Sequence, residues 1–441
     1  MKQSFFSTVR ELRAWLLLWG TQTLSSLGSG MTSYALVIWA YGQEGSALST
    51  ALLMVASYAP YVLCSIFAGA LSDRWDKRRT MLACDALAAA CTVTILLLLR
   101  SDALRLGHLY LLNILSGLMN TVQQPASEIA TSALLPREHY QRVGGLRYLS
   151  GAVNGILTPI LATALLGLWG MEAVIAFDLA TFAAAFVMLW KAIRLPEIPR
   201  QSGDGGTLLQ SARAGLRWLR AHRGVMDLML LLAAINLVAS MYDAAFPAMM
   251  LSREGGGSQV MGLVNGCIGA AMLMGSLLAS VMKPPRSRVR VICNTLLFSM
   301  ATENILLALG RSAAVWCVGG FLGWIVIPLM NASLDATMRL NIPLDIQGRV
   351  FAARNSLQFF TIPLGYFLGG WLVDFAFEPL MASQAPGSLL IRLFGDGKGS
   401  GAACFFAVLW VLGLAVSLLM RRDPAIWALE KQPGDTKGAC P

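Results

Sequence analysis

Charge is scarce in this sequence. Asp, Glu, Lys and Arg make up only 13% of its 441 residues, about half the share usual in soluble domains. A soluble protein of this length would cover its surface with far more charge, which excludes a cytosolic enzyme or a nucleic-acid binder. Histidine is nearly missing as well. His108, His139 and His222 are its only three occurrences, and none lies deep in an apolar run, so any proton step would fall to carboxylates. The eight cysteines are scattered, with no CxxC and no Cys/His cluster, so neither a disulfide framework nor a metal site is expected. Cys84 and Cys91 share a helix face two turns apart and read as small packing residues. A phosphate-binding loop is also absent, because GKGSG at 397–401 lacks the required spacing. No hydrolase constellation is visible. No cofactor, no metal and no enzymatic activity is therefore expected.

Apolar residues are abundant, at 56%. A helix needs about 20 mostly apolar residues to cross a bilayer. Runs of that kind occur near 14–40, 48–72, 80–99, 108–134, 145–168 and 172–190, and again near 225–250, 259–282, 291–309, 313–336, 350–372 and 401–420. The expected fold is therefore an all-α membrane protein of twelve transmembrane helices. The first run is too long and too polar in its middle for a cleaved signal peptide and is expected to be retained. An even number of spans puts both termini on one side. With that side as the cytoplasm, 28 of the 34 Lys and Arg fall inside, leaving only Arg100, Arg105, Arg253, Arg311, Arg392 and Lys398 outside. This is the bias of the positive-inside rule, so the net charge of +10 reflects topology. A plasma-membrane protein with cytoplasmic termini is expected.

Residues 195–224, Pro/Gly-rich and then basic, separate two six-helix halves at 1–194 and 225–420, with a cytoplasmic tail at 421–441. The halves repeat. PASEIAT at 125–131 matches NASLDAT at 331–337, and PREHYQRV-GGLR at 136–147 matches PLDIQGRV-FAAR at 343–354. Both copies fall where the fourth run of a half leads into its fifth, so the repeat keeps one direction, as in transporters built from two parallel bundles.

The loop after the second run reads Gly69-Ala-Leu71-Ser-Asp73-Arg74-Trp75-Asp76-Lys77-Arg78-Arg79. It resembles the signature loop of the major facilitator superfamily, G-x-L-x-D-R-x-[GD]-[RK]-[RK]. Its counterpart, Gly275-Ser-Leu277 followed by Lys283-Pro-Pro-Arg286, keeps the Gly and Leu without the acid. Within that superfamily the chain resembles the drug-exporter branch containing macrolide efflux proteins and the enterobactin exporter. The residues that carry this are Trp19-Gly-Thr-Gln22 with Ser25 and Ser26, Asp73-Arg74 followed by Asp85, Pro125-Ala126 leading to Leu135-Pro136-Arg137-Glu138, Phe177-Asp178, and Gly348-Arg349-Val350-Phe351 running to Pro363-Leu-Gly365. The Gly/Pro pattern of proton antiporters is partly met by Gly151, Gly155 and Pro159. The resemblance implies alternating access by rocking of two bundles about a midplane cavity, and export of a small amphipathic compound, drug or macrolide-like, by proton antiport. A siderophore or lysolipid exporter, or a non-transporting membrane sensor on the same fold, are the alternatives. Expected partners are the substrate, protons and membrane lipid, with the chain a monomer.

Polar side chains recur at helical spacing in four runs. Gln22, Ser25, Ser26, Ser29 and Ser33 mark the first, and Asn113, Asn120, Gln124 and Ser127 the fourth. Asn236, Ser240 and Asp243 mark the seventh, and Asn331 and Asp335 the tenth. Small polar residues often join membrane helices, but the resemblance makes these four helices the lining of the cavity. It also makes the inner loop a gate. Gly69, Leu71, Asp73, Arg74, Arg78 and Arg79 form it, with Asp73 meeting the helix that starts after Arg349 and Glu128 facing Arg74 or Arg78. Three carboxylates, Asp178, Asp243 and Glu303, sit far enough into their runs that charging them costs on the order of 3 kcal/mol. They are the candidates for proton coupling. Asp243 is preferred because it shares a face with Asn236 and Ser240.

Overall fold

The computed structural model describes residues 13–134, 140–191, 216–283, 285–342, 350 and 357–430. Among these no strand occurs. Among the described residues every apolar run of the sequence coincides with helix, as it must where the hydrocarbon core offers no water to satisfy backbone groups. Helices α1 (Arg13–Glu44), α2 (Ala47–Arg74), α3 (Lys77–Arg100) and α4 (Leu106–Leu134) take up the first four runs. The fifth and sixth share α5 (Tyr140–Lys191), which changes direction at Gly170, where φ is +77°. Only glycine takes that conformation without strain. The seventh to ninth are α6 (Arg223–Ser252), α7 (Ser258–Val281) and α8 (Arg288–Leu309). The tenth is split into α9 (Ala313–Ile325) and α10 (Ile327–Asn341), with Pro328 in the first turn of the second piece.

The eleventh run differs from its expected bounds. Helix α11 (Thr361–Leu372) continues through a π-turn at Val373–Phe377 into α12 (Glu378–Ala382), so the helix outlasts the run by about ten residues. Pro379 falls at the start of α12, where a missing N–H costs nothing. The connection between the eleventh and twelfth runs is confined to the stretch after Ala382. It holds α13 (Leu389–Phe394), whose six residues are too few to span. Helix α14 (Ser400–Arg422) is the last run, followed by α15 (Pro424–Trp427).

Nine stretches of described helix are long and apolar enough to cross a membrane, one of them covering both runs of α5. The two that fall short are α1 and α4, although they are 32 and 29 residues long. Their polar stripes are what lower their hydropathy.

The chain divides into two compact units. Met1–Glu44 with Leu52–Gly203 forms the first, and Gly45–Ala51 with Asp204–Pro441 the second. In the first unit α1 lies along α5, and Met31, Ala35, Leu109, Ala162, Val174 and Ile175 make a closed core. In the second unit glycines bring helices together: a Cβ at Gly365 would meet the Ser240 Cβ at 2.6 Å, and one at Gly369 the Met241 Cα at 2.8 Å. Close approach of this kind replaces the hydrophobic effect as the packing force between helices in lipid. Arg253, just past α6, ties three pieces of this unit. Its guanidinium donates to the Leu307 carbonyl at 3.0 Å and the Phe394 carbonyl at 3.1 Å, and lies 5.7 Å over the Trp316 ring. Burial, with Arg311 nearby, pushes its pKa down to about 10, which leaves it charged at neutral pH.

Candidate functional site

The polar stripe of α1 faces two partners in its own unit. Ser26 accepts from Asn154 Nδ2 at 2.7 Å, and Ser29 donates to Asp178 Oδ1 at 3.0 Å. Gly28 lets the two helices close: a Cβ there would come within 2.3 Å of Thr181 Oγ1 and 2.9 Å of the Asp178 Cα. Gln22 is half-buried beside Asp85, and its Nε2 has no hydrogen-bond partner among the described residues. Ser33 is exposed. On α4, Asn120 and Gln124 are exposed, while Asn113 turns back to the Leu109 carbonyl at 2.9 Å.

Two residues of the first unit that periodicity does not single out take part. Asn154 bridges α5 to α1, and Gln123 Nε2 donates to Asp85 Oδ1 at 2.6 Å. A signal for Gln123 exists in principle: an acid in an apolar run needs a donor from a neighbouring helix.

In the second unit Asn236 Nδ2 donates to the Gln358 carbonyl at 3.1 Å, and Ser240 donates to the Asn236 carbonyl at 2.7 Å. Both of these stripe residues are committed to helix contacts. Asn331 is exposed. Asp243 is half-buried and has no hydrogen bond or ion pair among the described residues. Glu303 is 5% exposed and accepts from Trp324 Nε1 at 2.8 Å. The tenth run, broken between α9 and α10, thus supplies both an exposed amide and the donor to a buried acid.

The inner loop is described in part. Gly69, Leu71, Asp73 and Arg74 close α2, but their side chains and that of Glu128 lie outside the described residues, as does Arg349 altogether. Asp76 caps α3 by accepting from the Arg79 N–H at 2.8 Å. Arg78 donates to the Leu189 carbonyl at 3.2 Å and also to that of Trp190. It thereby satisfies carbonyls at the end of α5, where a cation also complements the helix dipole.

A cavity of about 710 Å³ opens in the second unit beside Ser46, Asp374, Glu378, Asp396, Lys398 and Ser400. Its deeper carboxylates already serve as helix caps. Asp374 accepts from Ser46 Oγ at 2.6 Å and from the Ala47 and Leu48 N–H groups at 2.9 and 2.8 Å. Glu378 accepts from the Gly399 and Ala402 N–H groups at 3.0 and 3.2 Å. Among the described residues no cluster of His, Cys, Asp and Glu suits a metal ion.

The sequence profile of the Major Facilitator Superfamily matches residues 18–366, four-fifths of the chain. The chain belongs to the Major Facilitator Superfamily. It is accordingly a multi-pass membrane transporter and not an enzyme. Macrolide efflux protein A of Streptococcus pyogenes is 21% identical over 361 residues, covering 81% of this chain and 88% of that protein. The enterobactin exporter EntS of Shigella flexneri is 24% identical over 294 residues, covering 64% and 66%. In fold, the chain is similar to the crystal structure of a mutant form of the nucleoside transporter NupG, with a TM-score of 0.66 at 13% identity, covering 92% of this chain and 99% of that one. Of the stripe residues, Ser33, Asn120 and Gln124 of the first unit and Asn331 of the second are exposed.

Proposed function

We propose that this chain exports a small amphipathic compound across the plasma membrane by proton antiport, with alternating access and with Asp243 as the coupling residue. One observation carries the reading. Asp243 stands about two-thirds of the way along α6, more than two turns from its end, with no hydrogen bond and no ion pair among the described residues. A carboxylate in a membrane interior with neither donor nor cation is costly when ionised. It is relieved by a proton or by a cationic group on the substrate. Competition between the two for one carboxylate is the simplest form of antiport, since each arrival expels the other. The efflux proteins similar to this chain support the outward direction and make a macrolide the first compound to try.

The test uses inside-out vesicles loaded with the full-length chain and radiolabelled erythromycin as the probe. Accumulation that a protonophore collapses, and that Asp243→Asn lacks while still binding the compound, is the expected result. Protonophore-resistant accumulation in the Asp243→Asn protein would sink the assignment. If a compound panel shows transport of a siderophore and none of a macrolide, the substrate class changes and the coupling residue stands.

The orientation is tested separately. Ser383 is exposed just beyond α12, on the side that the Lys and Arg distribution places outside. A cysteine there should react with an impermeant thiol reagent added to intact cells. Reaction only from the cytoplasmic side would reverse the topology.

A further inference from the structure

One end of the second unit gathers arginines that nothing in the chain neutralises. Helix α14 finishes on Arg421 and Arg422, and α8 starts with Arg288 and Arg290, with Arg286 just ahead of it. These two ends meet. Trp410 Nε1 donates to the Ala301 carbonyl at 3.0 Å, and a Cβ at Gly413 would lie 2.8 Å from Met300 Sδ, so the helices pack antiparallel. Just past α14 the chain folds back, with Ile426 buried and Trp427 Nε1 donating to the Arg421 carbonyl at 2.7 Å. Glu430 thereby reaches the start of α8, where it accepts from the Val289 N–H at 2.8 Å and from Ser287 Oγ. Asp423 accepts from the Ala425 N–H at 2.8 Å. Both carboxylates of this segment are spent on backbone N–H groups. Arg286, Arg290, Arg421 and Arg422 are exposed, and neither they nor Arg288 form an ion pair or a side-chain hydrogen bond among the described residues. Exposed arginines elsewhere do find acids: Arg100 pairs with Glu172 at 2.9 Å and Arg223 with Asp227 at 3.3 Å.

We propose that this end of the second unit binds an anionic phospholipid, with the lipid phosphate among Arg286, Arg290, Arg421 and Arg422 and its acyl chains along Leu418 and Leu419. Like charges crowded at one place repel one another, and an anion seated among them removes that cost. Five arginines stand here against two carboxylates, so a net positive charge remains even with Glu430 and Asp423 counted. Guanidinium groups match phosphate oxygens two at a time, and basic clusters beside a membrane span attract anionic head groups. The surface next to the arginines decides between a lipid and a free anion. Leu418 and Leu419 are exposed within one turn of Arg421 and Arg422, on a helix long and apolar enough to cross the membrane. A free phosphate would meet the arginines and gain nothing from the leucines, whereas a phospholipid uses both. The site does not depend on the antiport reading and holds for any transported compound.

The test titrates the purified full-length protein, in a neutral detergent, with phosphatidylglycerol, phosphatidylcholine or inorganic phosphate. Affinity is read from the rise in melting temperature with added ligand. Phosphatidylglycerol should stabilise the protein saturably, and the other two should not. The double variant Arg290→Gln/Arg421→Gln should weaken phosphatidylglycerol binding at least about tenfold. Arg100→Gln/Arg105→Gln removes the same charge from the first unit and should leave that binding within about twofold. Equal weakening in the two double variants would make the binding a response to net charge and overturn the proposal. So would phosphatidylglycerol binding that ignores Arg290→Gln/Arg421→Gln, or phosphatidylcholine that binds as tightly. Displacement of phosphatidylglycerol by an equal concentration of inorganic phosphate would assign the arginines to a free anion and defeat the lipid. If Arg290→Gln/Arg421→Gln does not fold, a salt series on the wild type decides. About 0.5 M NaCl should remove most of the difference between phosphatidylglycerol and phosphatidylcholine, and a difference indifferent to salt overturns the proposal.

Discussion

The buried carboxylates of the two units are handled differently. In the first unit Asp85 and Asp178, both under 10% exposed, each accept a hydrogen bond from a side chain on another helix, Gln123 in one case and Ser29 in the other. Each bond joins two helices, which is the ordinary use of polar groups in lipid, although Asp85 Oδ2 is buried without a partner among the described residues. In the second unit Glu303 accepts from the Trp324 indole N–H, and Asp243 has neither donor nor cation among the described residues. The contrast sets three acids that accept from a side chain on another helix, Asp85, Asp178 and Glu303, against Asp243, which does not. Position in the sequence sets Asp178, Asp243 and Glu303 apart from Asp85 by depth, but it does not name their donors.

The comparison breaks most easily at its strong end. Asp243→Asn should abolish accumulation against a gradient, a loss of about 50-fold in the steady-state ratio per 100 mV of driving force if the proton is the only driving ion, while the protein inserts and folds as wild type. The magnitude follows from the driving force: about 2.3 kcal/mol per charge per 100 mV is forfeited when the proton no longer couples. A smaller and different effect is expected at Asp73, at the inner end of α2. Asp73→Asn should cut the export rate about tenfold by shifting the balance of conformations, yet leave the final accumulation ratio close to wild type. A rate unchanged in that variant would reduce the basic loop to a topology signal. A lowered final ratio would instead place Asp73 among the coupling residues and erase the contrast between the units.

Much of this was legible in the sequence. The apolar runs follow from hydrocarbon thickness, which acts on the chain locally. The stripes of α1 and α4 were also visible, and they explain why these two helices are the least apolar. What periodicity could not reveal was the partner of each polar group. Ser29 and Ser26 share a face with Gln22 and Ser33, but the first bonds Asp178 and the second Asn154, because α5 lies along that face and Gly28 lets it approach. Arg78 reads as one more inner-loop cation; its bonds to the Leu189 and Trp190 carbonyls depend on where α5 ends in space. The extension of the eleventh span to Ala382 was hidden because Asp374 and Glu378 look like loop residues. Their hydrogen bonds to the N-termini of other helices are what let two acids stand there.

The smallest effect is expected at Asp178, and it is the sharpest test of the contrast. Asparagine keeps the Oδ1 acceptor for Ser29 and nearly the same volume against Gly28, so Asp178→Asn removes only a charge that the burial of this site disfavours. Stability should change by about 1 kcal/mol or less, and export should remain above about half of wild type. Asp178→Ala also removes the acceptor and leaves the Ser29 hydroxyl without its partner, at a cost of about 1–3 kcal/mol. Thermal unfolding of the detergent-solubilised protein should therefore rank wild type and Asp178→Asn together, with Asp178→Ala several degrees lower. The accumulation ratio should be the same in all three. If Asp178→Asn instead loses accumulation as fully as Asp243→Asn, a well-bonded acid of the first unit carries the proton after all, and the number of donors around a buried carboxylate would be no guide to which one titrates.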